Sequence, residues 1–123
     1  MAKKKRVLIV DDDHDMHVLY KDMFEGENEY EIELEDNGFK ALEKIKETHY
    51  DLLILDIIME PFPGDSVFVS IRDNDKLKDL PIIVVSVLDH DSLALLKRFG
   101  QANFLKKPIK KEELMDEIKK VLS

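Results

Sequence analysis

A chain of 123 residues, 44% apolar and 37% charged, is expected to form a single globular domain over 1–123, large enough to withdraw about two-thirds of its unfolded surface from water. Its net charge of −8 argues against unaided nucleic-acid binding, which needs clustered Lys and Arg. No cysteine is present to form disulfides or thiolate metal sites, and no apolar run approaches the ~20 residues of a membrane span or follows MAKKKR for long enough to make a signal peptide. The expected location is therefore cytoplasmic, and the Lys3 to Arg6 cluster reads as a solvated end.

Val7 to Val10 is a short apolar run closed by Asp11, Asp12 and Asp13, the pattern of a buried strand leaving the core. Met16, Leu19, Tyr20 and Met23 share one face of a helix, which Gly26 and Asn28 end. Tyr30, Ile32 and Leu34 alternate with glutamates, as in an edge strand with one wet face. Asp36, Asn37 and Gly38 turn the chain into a second helix lined by Phe39, Leu42 and Ile45. Leu52 to Leu55 is again continuously apolar and ends in Asp56, ahead of a loop with Pro61, Pro63 and Gly64. Val67, Phe68 and Ile71 mark a third helix. Ile82 to Val87 is a buried strand that carries one hydroxyl, Ser86, to its end. Leu93, Leu96 and Phe99 predict a fourth helix stopped by Gly100. A short strand from Asn103 then delivers Lys106, Lys107 and Pro108, and Leu114, Ile118, Val121 and Leu122 line a fifth helix.

Five strand-helix units predict an α/β, doubly wound, five-stranded parallel sheet of the flavodoxin-like kind, with strand order 2-1-3-4-5 and five helices. In that order the glutamate-bearing strand falls at an edge, and the switch point lies between the strands ending in Asp11 and Asp56. Strand ends thus supply Asp11, Asp12, Asp56, Ser86 and Lys107 to one edge of the sheet. Crowded carboxylates repel one another and are usually neutralised by a cation or a nearby lysine, and here a hard ion fits best. With oxygen donors alone, Mg²⁺ is the expected one, often sharing its shell with phosphate. Taken singly, each residue has a plainer reading: the aspartates as helix caps, Ser86 as a satisfied hydroxyl, Lys107 as a surface charge. Their convergence favours phosphoryl chemistry, in which an aspartate can be the nucleophile.

The pieces VLIVDDD, LLILDIIM, IIVVS and FLKKPI, in this order and spacing, resemble the response-regulator receiver domains of two-component signalling over nearly the whole chain. The resemblance implies that Asp56 accepts a phosphoryl group from a histidine kinase or phosphotransfer protein. Asp12 would bind Mg²⁺ directly, Asp11 through water, and the Ile58 carbonyl would add a ligand. Ser86 would bind the phosphoryl oxygens and Lys107 would pair with them, while Phe104 would be a switch aromatic coupled to Ser86. A partner protein would read the face made by the fourth helix, fifth strand and fifth helix, and the Lys107–Pro108 bond would be cis. The resemblance also implies that Ile58 and Leu88 tune autodephosphorylation; apolar at both places, they predict slow loss of phosphate. It further implies a signalling domain rather than an enzyme, limited to its own phosphorylation and slow autodephosphorylation.

Two positions depart from the family pattern. Glu60 stands four residues after the acceptor, where proline is common, placing an extra carboxylate near the metal, and Ile109 replaces a frequent phenylalanine. His14 and His17, three apart on the first helix, have a spacing that could chelate a metal but read better as a solvated first turn, and His49 and His90 read as loop residues. The rival readings are a Mg²⁺-dependent phosphohydrolase with Asp11 as nucleophile, a receiver-like binding module that takes no phosphate, and a flavin-binding protein. The first lacks a cap domain and a late acidic pair, the second does not explain Asp56, Ser86 and Lys107 together, and the third lacks a phosphate-holding loop.

Overall fold

The computed structural model describes residues 3–60, 62–88 and 94–123. Five strands, β1 (Lys5–Val10), β2 (Tyr30–Glu35), β3 (Leu52–Asp56), β4 (Ile82–Ser86) and β5 (Asn103–Lys106), form one parallel sheet in the order β2-β1-β3-β4-β5. The α-helices are α1 (His14–Phe24), α2 (Gly38–Glu47), α3 (Gly64–Arg72) and α4 (Lys111–Leu122).

Alternate residues of the sheet feed two separate cores. Leu8, Val10, Leu53, Leu55 and Val84 pack with Ala41, Leu42 and Ile45 of α2 and Val67, Phe68 and Ile71 of α3. Val7, Ile9, Leu52, Ile54, Ile83 and Val85 pack with Tyr20, Met23 and Phe24 of α1 and Leu114, Met115 and Ile118 of α4. Burial on both faces explains why the central strands carry unbroken Val, Ile and Leu, each side chain contributing about 1.5–3 kcal/mol on leaving water.

The structure corrects several sequence expectations. Among the described residues there are four α-helices rather than five. The predicted fourth is a 3-10 helix, Ala94–Arg98, closed by a bond from the Phe99 amide to the Leu96 carbonyl at 3.0 Å. Of its predicted face, Leu96 is buried, Phe99 is exposed and Leu93 lies outside the described residues. Phe39 is exposed rather than core, and meets the ring of Phe62 edge-on with centroids 6.2 Å apart. Leu19 is also exposed, and Phe24 takes its place in the core. Nor is the glutamate face of β2 simply wet: Glu35 is buried, and Lys44 of α2 pairs with it at 3.0 Å and with Glu33 at 3.3 Å. A lysine reaching back from the next helix leaves no trace in the period of two.

Candidate functional site

Sheet register brings the predicted residues to one edge. Val10 is paired with Leu55, so the next residues, Asp11 and Asp56, leave the sheet side by side. Asp56 is paired with Val85 and Ser86 with Lys106, which puts Ser86 one strand further along and Lys107 two. Asp56 has the parity of Ile54 and Val85, the core shared with α1 and α4, whereas Ser86 has the parity of Val84 on the opposite face.

Oxygens of Asp11, Asp12 and Asp56 all lie within 4.8 Å of one another; Asp11 and Asp56 are buried and Asp12 is exposed. The Lys107 ammonium donates to Asp11 Oδ2 at 2.9 Å and to Asp56 Oδ2 at 3.3 Å. A cis Lys107–Pro108 bond follows, as expected. The Ile58 amide donates to Asp56 Oδ1 at 3.2 Å. The Ser86 hydroxyl accepts from the Leu88 amide at 3.2 Å, and the Ser86 carbonyl accepts from the Lys107 amide at 2.8 Å. Phe104 of β5 pairs in register with Val84 and packs partly buried on the α2 and α3 side, with the Lys97 ammonium 5.3 Å from its ring centroid. Of the flagged acids, Asp13 is the N-cap of α1: its carboxylate accepts from the Asp15 amide at 2.9 Å.

Burial raises the Asp56 carboxyl above the usual carboxylate range, and the neighbouring Asp11 charge adds to this, while Lys107 and the Ile58 amide only partly oppose it. Burial acts to lower the Lys107 ammonium, but the hydrogen bond and charge of Asp11, together with Asp56, outweigh it and hold the group protonated. A buried acid with a raised pKa binds its proton more tightly in the folded chain, so its effect on stability worsens as pH climbs from its ordinary value of 3.8 through the raised one. Asp56→Asn is therefore expected to stabilise the metal-free protein at pH 7 by about 1 kcal/mol, a rise of about 4 °C in Tm. Thermal unfolding with a chelator measures it; a fall of that size means the attraction of Lys107 exceeds the repulsion of Asp11.

The donor set suits a hard divalent cation, with three carboxylates in reach of one another and no imidazole among them. Sequence reasoning missed two contacts here. His17, read as solvated, places Nε2 2.6 Å from the Asp11 carbonyl, and His14 places its own 3.3 Å from Asp36 Oδ2. Glu60, flagged for its carboxylate, instead meets the cluster through its backbone amide, which donates to Asp12 Oδ2 at 3.3 Å; a main-chain donor carries no side-chain signature. Pro61 and His90 lie outside the described residues.

Residues 7–119 match the family model described as response regulator receiver domain. The chain is 32% identical to the chemotaxis protein CheY of Halobacterium salinarum, over 97% of this chain and 98% of the relative. It is 30% identical to the sensor histidine kinase TmoS of Ectopseudomonas mendocina over 99% of its own length, which is 12% of that protein. It thus spans the whole of some curated relatives and a small part of others. Among solved structures, the response regulator TrrA of Thermotoga maritima, in complex with Mg²⁺-BeF, superposes with a TM-score of 0.83 at 36% identity, covering 96% of this chain and 99% of that one.

Proposed function

The chain belongs to the response regulator receiver domain family, and on that premise we propose that it is a single phosphoacceptor domain of a two-component phosphorelay, taking a phosphoryl group from a histidine kinase or phosphotransfer protein onto Asp56. The observation that supports this reading best is a buried carboxylate at a strand end, held between an ammonium at 3.3 Å and a second acid.

One oxygen of Asp56 attacks the phosphorus as its bond to the donor's histidine nitrogen breaks. The bonding pair leaves with the imidazole, and an acyl phosphate forms on Asp56. Asp11, Asp12, Asp56 and the Ile58 carbonyl would hold Mg²⁺, which when bound neutralises phosphoryl oxygens and draws them into line. Lys107 pairs with the same oxygens, and because it already bridges Asp11 and Asp56 it has little distance to move. Ser86 turns its hydroxyl to the new anion. Ser86 and Phe104 have the same sheet parity on neighbouring strands, which fits a coupled move of the two between discrete arrangements. A partner protein then reads the surface of the 3-10 helix, β5 and α4. The exposed, apolar Ile58 beside the site offers no group to orient an attacking water, consistent with slow loss of phosphate.

Incubation with Mg²⁺ and acetyl phosphate tests the reading by intact mass. A single phosphoryl adduct is expected in the wild type and none in Asp56→Asn. Multiple turnover on a phosphate ester that depends on Asp11 would overturn it in favour of a hydrolase.

A further inference from the structure

Asp12 differs from its two neighbours in the acid cluster. Asp11 and Asp56 are buried and bound by Lys107, whereas Asp12 is exposed, and an exposed carboxylate loses rotamer freedom when it takes up a ligand. Asp12 is nonetheless held: the Glu60 amide donates to its Oδ2 at 3.3 Å, across 48 positions of sequence. The β3–α3 loop makes this contact possible by folding back on its own start. The Gly64 amide donates to the Ile57 carbonyl at 3.0 Å and the Ile58 amide to Asp56 Oδ1 at 3.2 Å, so both ends of the loop are tied to the end of β3.

We propose that the backbone N–H of Glu60 is a positioning group for the cation site: by fixing one oxygen of Asp12 it holds that carboxylate within reach of Asp11 and Asp56. Hydrogen bonds to ligating carboxylates orient them, and losing such a partner typically weakens metal binding about 10–100-fold. This rests on the reading of the cluster as a Mg²⁺ site. It concerns the main chain and makes the Glu60 carboxylate dispensable for the orientation. Proline at this position has no N–H to give.

Calorimetric titration of the whole chain with Mg²⁺ separates amide from side chain. Glu60→Ala deletes the carboxylate and keeps the N–H, and so serves as the reference. Glu60→Pro is expected to bind Mg²⁺ about tenfold more weakly than Glu60→Ala. Because two consecutive prolines can bend a loop, a second measurement leaves that backbone intact. The Glu60 amide proton should move upfield on Asp12→Ala, as a proton released from a carboxylate does, while the Gly64 amide stays in place. Equal affinities in Glu60→Ala and Glu60→Pro, or a Glu60 amide indifferent to Asp12→Ala, overturn the tether and leave the metal site standing. A wild-type chain that takes up no Mg²⁺ overturns the site reading itself, and the proposal with it.

Discussion

Replacing Lys107 with methionine is expected to lower stability at neutral pH, in a chelating buffer, by about 3 kcal/mol, which for a domain of this length is a drop of about 12 °C in Tm. Methionine keeps most of the stem's volume, so the loss is one of charge. Lys107 is the ammonium within 3.3 Å of both Asp11 and Asp56, and those carboxylates are almost wholly buried. Without it two buried acids face each other with no counter-charge, the arrangement in which breaking an ion pair costs most. Mg²⁺ is expected to restore part of the loss, because a cation that binds only the folded cluster supplies the missing charge.

The pH dependence of this variant separates charge from packing. Asp56 already has a raised pKa from burial and from Asp11, and removing Lys107 takes away one of the two influences that oppose the rise. The mutant should therefore recover stability relative to wild type as pH falls toward the raised value, where Asp56 binds a proton and the repulsion ends. In wild type, the stability linked to the raised ammonium is fully present below its ordinary pKa of 10.5 and lost only above that, as Lys107 deprotonates. Chemical denaturation at several pH values measures both trends. A deficit in the mutant that stays constant from pH 4 to pH 8 would show that the lysine acts through its stem.

The strands and the acids they carry were legible because burial on both faces leaves a direct mark, runs such as Leu52 to Leu55 ended by a charged residue. The order 2-1-3-4-5, one of the common orders for such a sheet, is the one observed, and it brings Asp11, Asp56 and Lys107 together. What was not legible depends on partners that no period encodes. Glu35 is buried because Lys44, nine residues on, covers it. Phe39 has helical spacing with Leu42, yet finds its neighbour in the Phe62 ring of the β3–α3 loop. The stretch around Leu96 has an apolar period, yet its described residues form a 3-10 turn with Phe99 exposed. The Glu60 amide is invisible to side-chain reading because any residue but proline offers the same group.

Gly64→Ala is expected to be the most damaging single-methyl change in the chain, costing about 3 kcal/mol and abolishing phosphoryl uptake at Asp56. Backbone conformation is not the reason, since Gly64 has no positive φ. The reason is space. A Cβ on Gly64 would lie 1.9 Å from the Asp56 carbonyl oxygen and 2.6 Å from the Ile57 Cα, and neither backbone atom can rotate away as a side chain tip can. The clash falls where the loop closes, beside the hydrogen bond that the Gly64 amide donates to the Ile57 carbonyl at 3.0 Å. Relief requires α3 to retreat from β3 or the end of β3 to shift. The first opens the contacts of Val67 and Phe68 with the sheet, and the second moves Asp56 away from Lys107 and Asp11. Either way the Ile58 amide, now 3.2 Å from Asp56 Oδ1, loses its aim. Thermal unfolding and intact mass after acetyl phosphate read the two losses separately. A folded Gly64→Ala protein that melts within about 1 kcal/mol of wild type and still gains a phosphoryl group would show that the close approach of Gly64 to β3 is not needed to hold the acceptor in place.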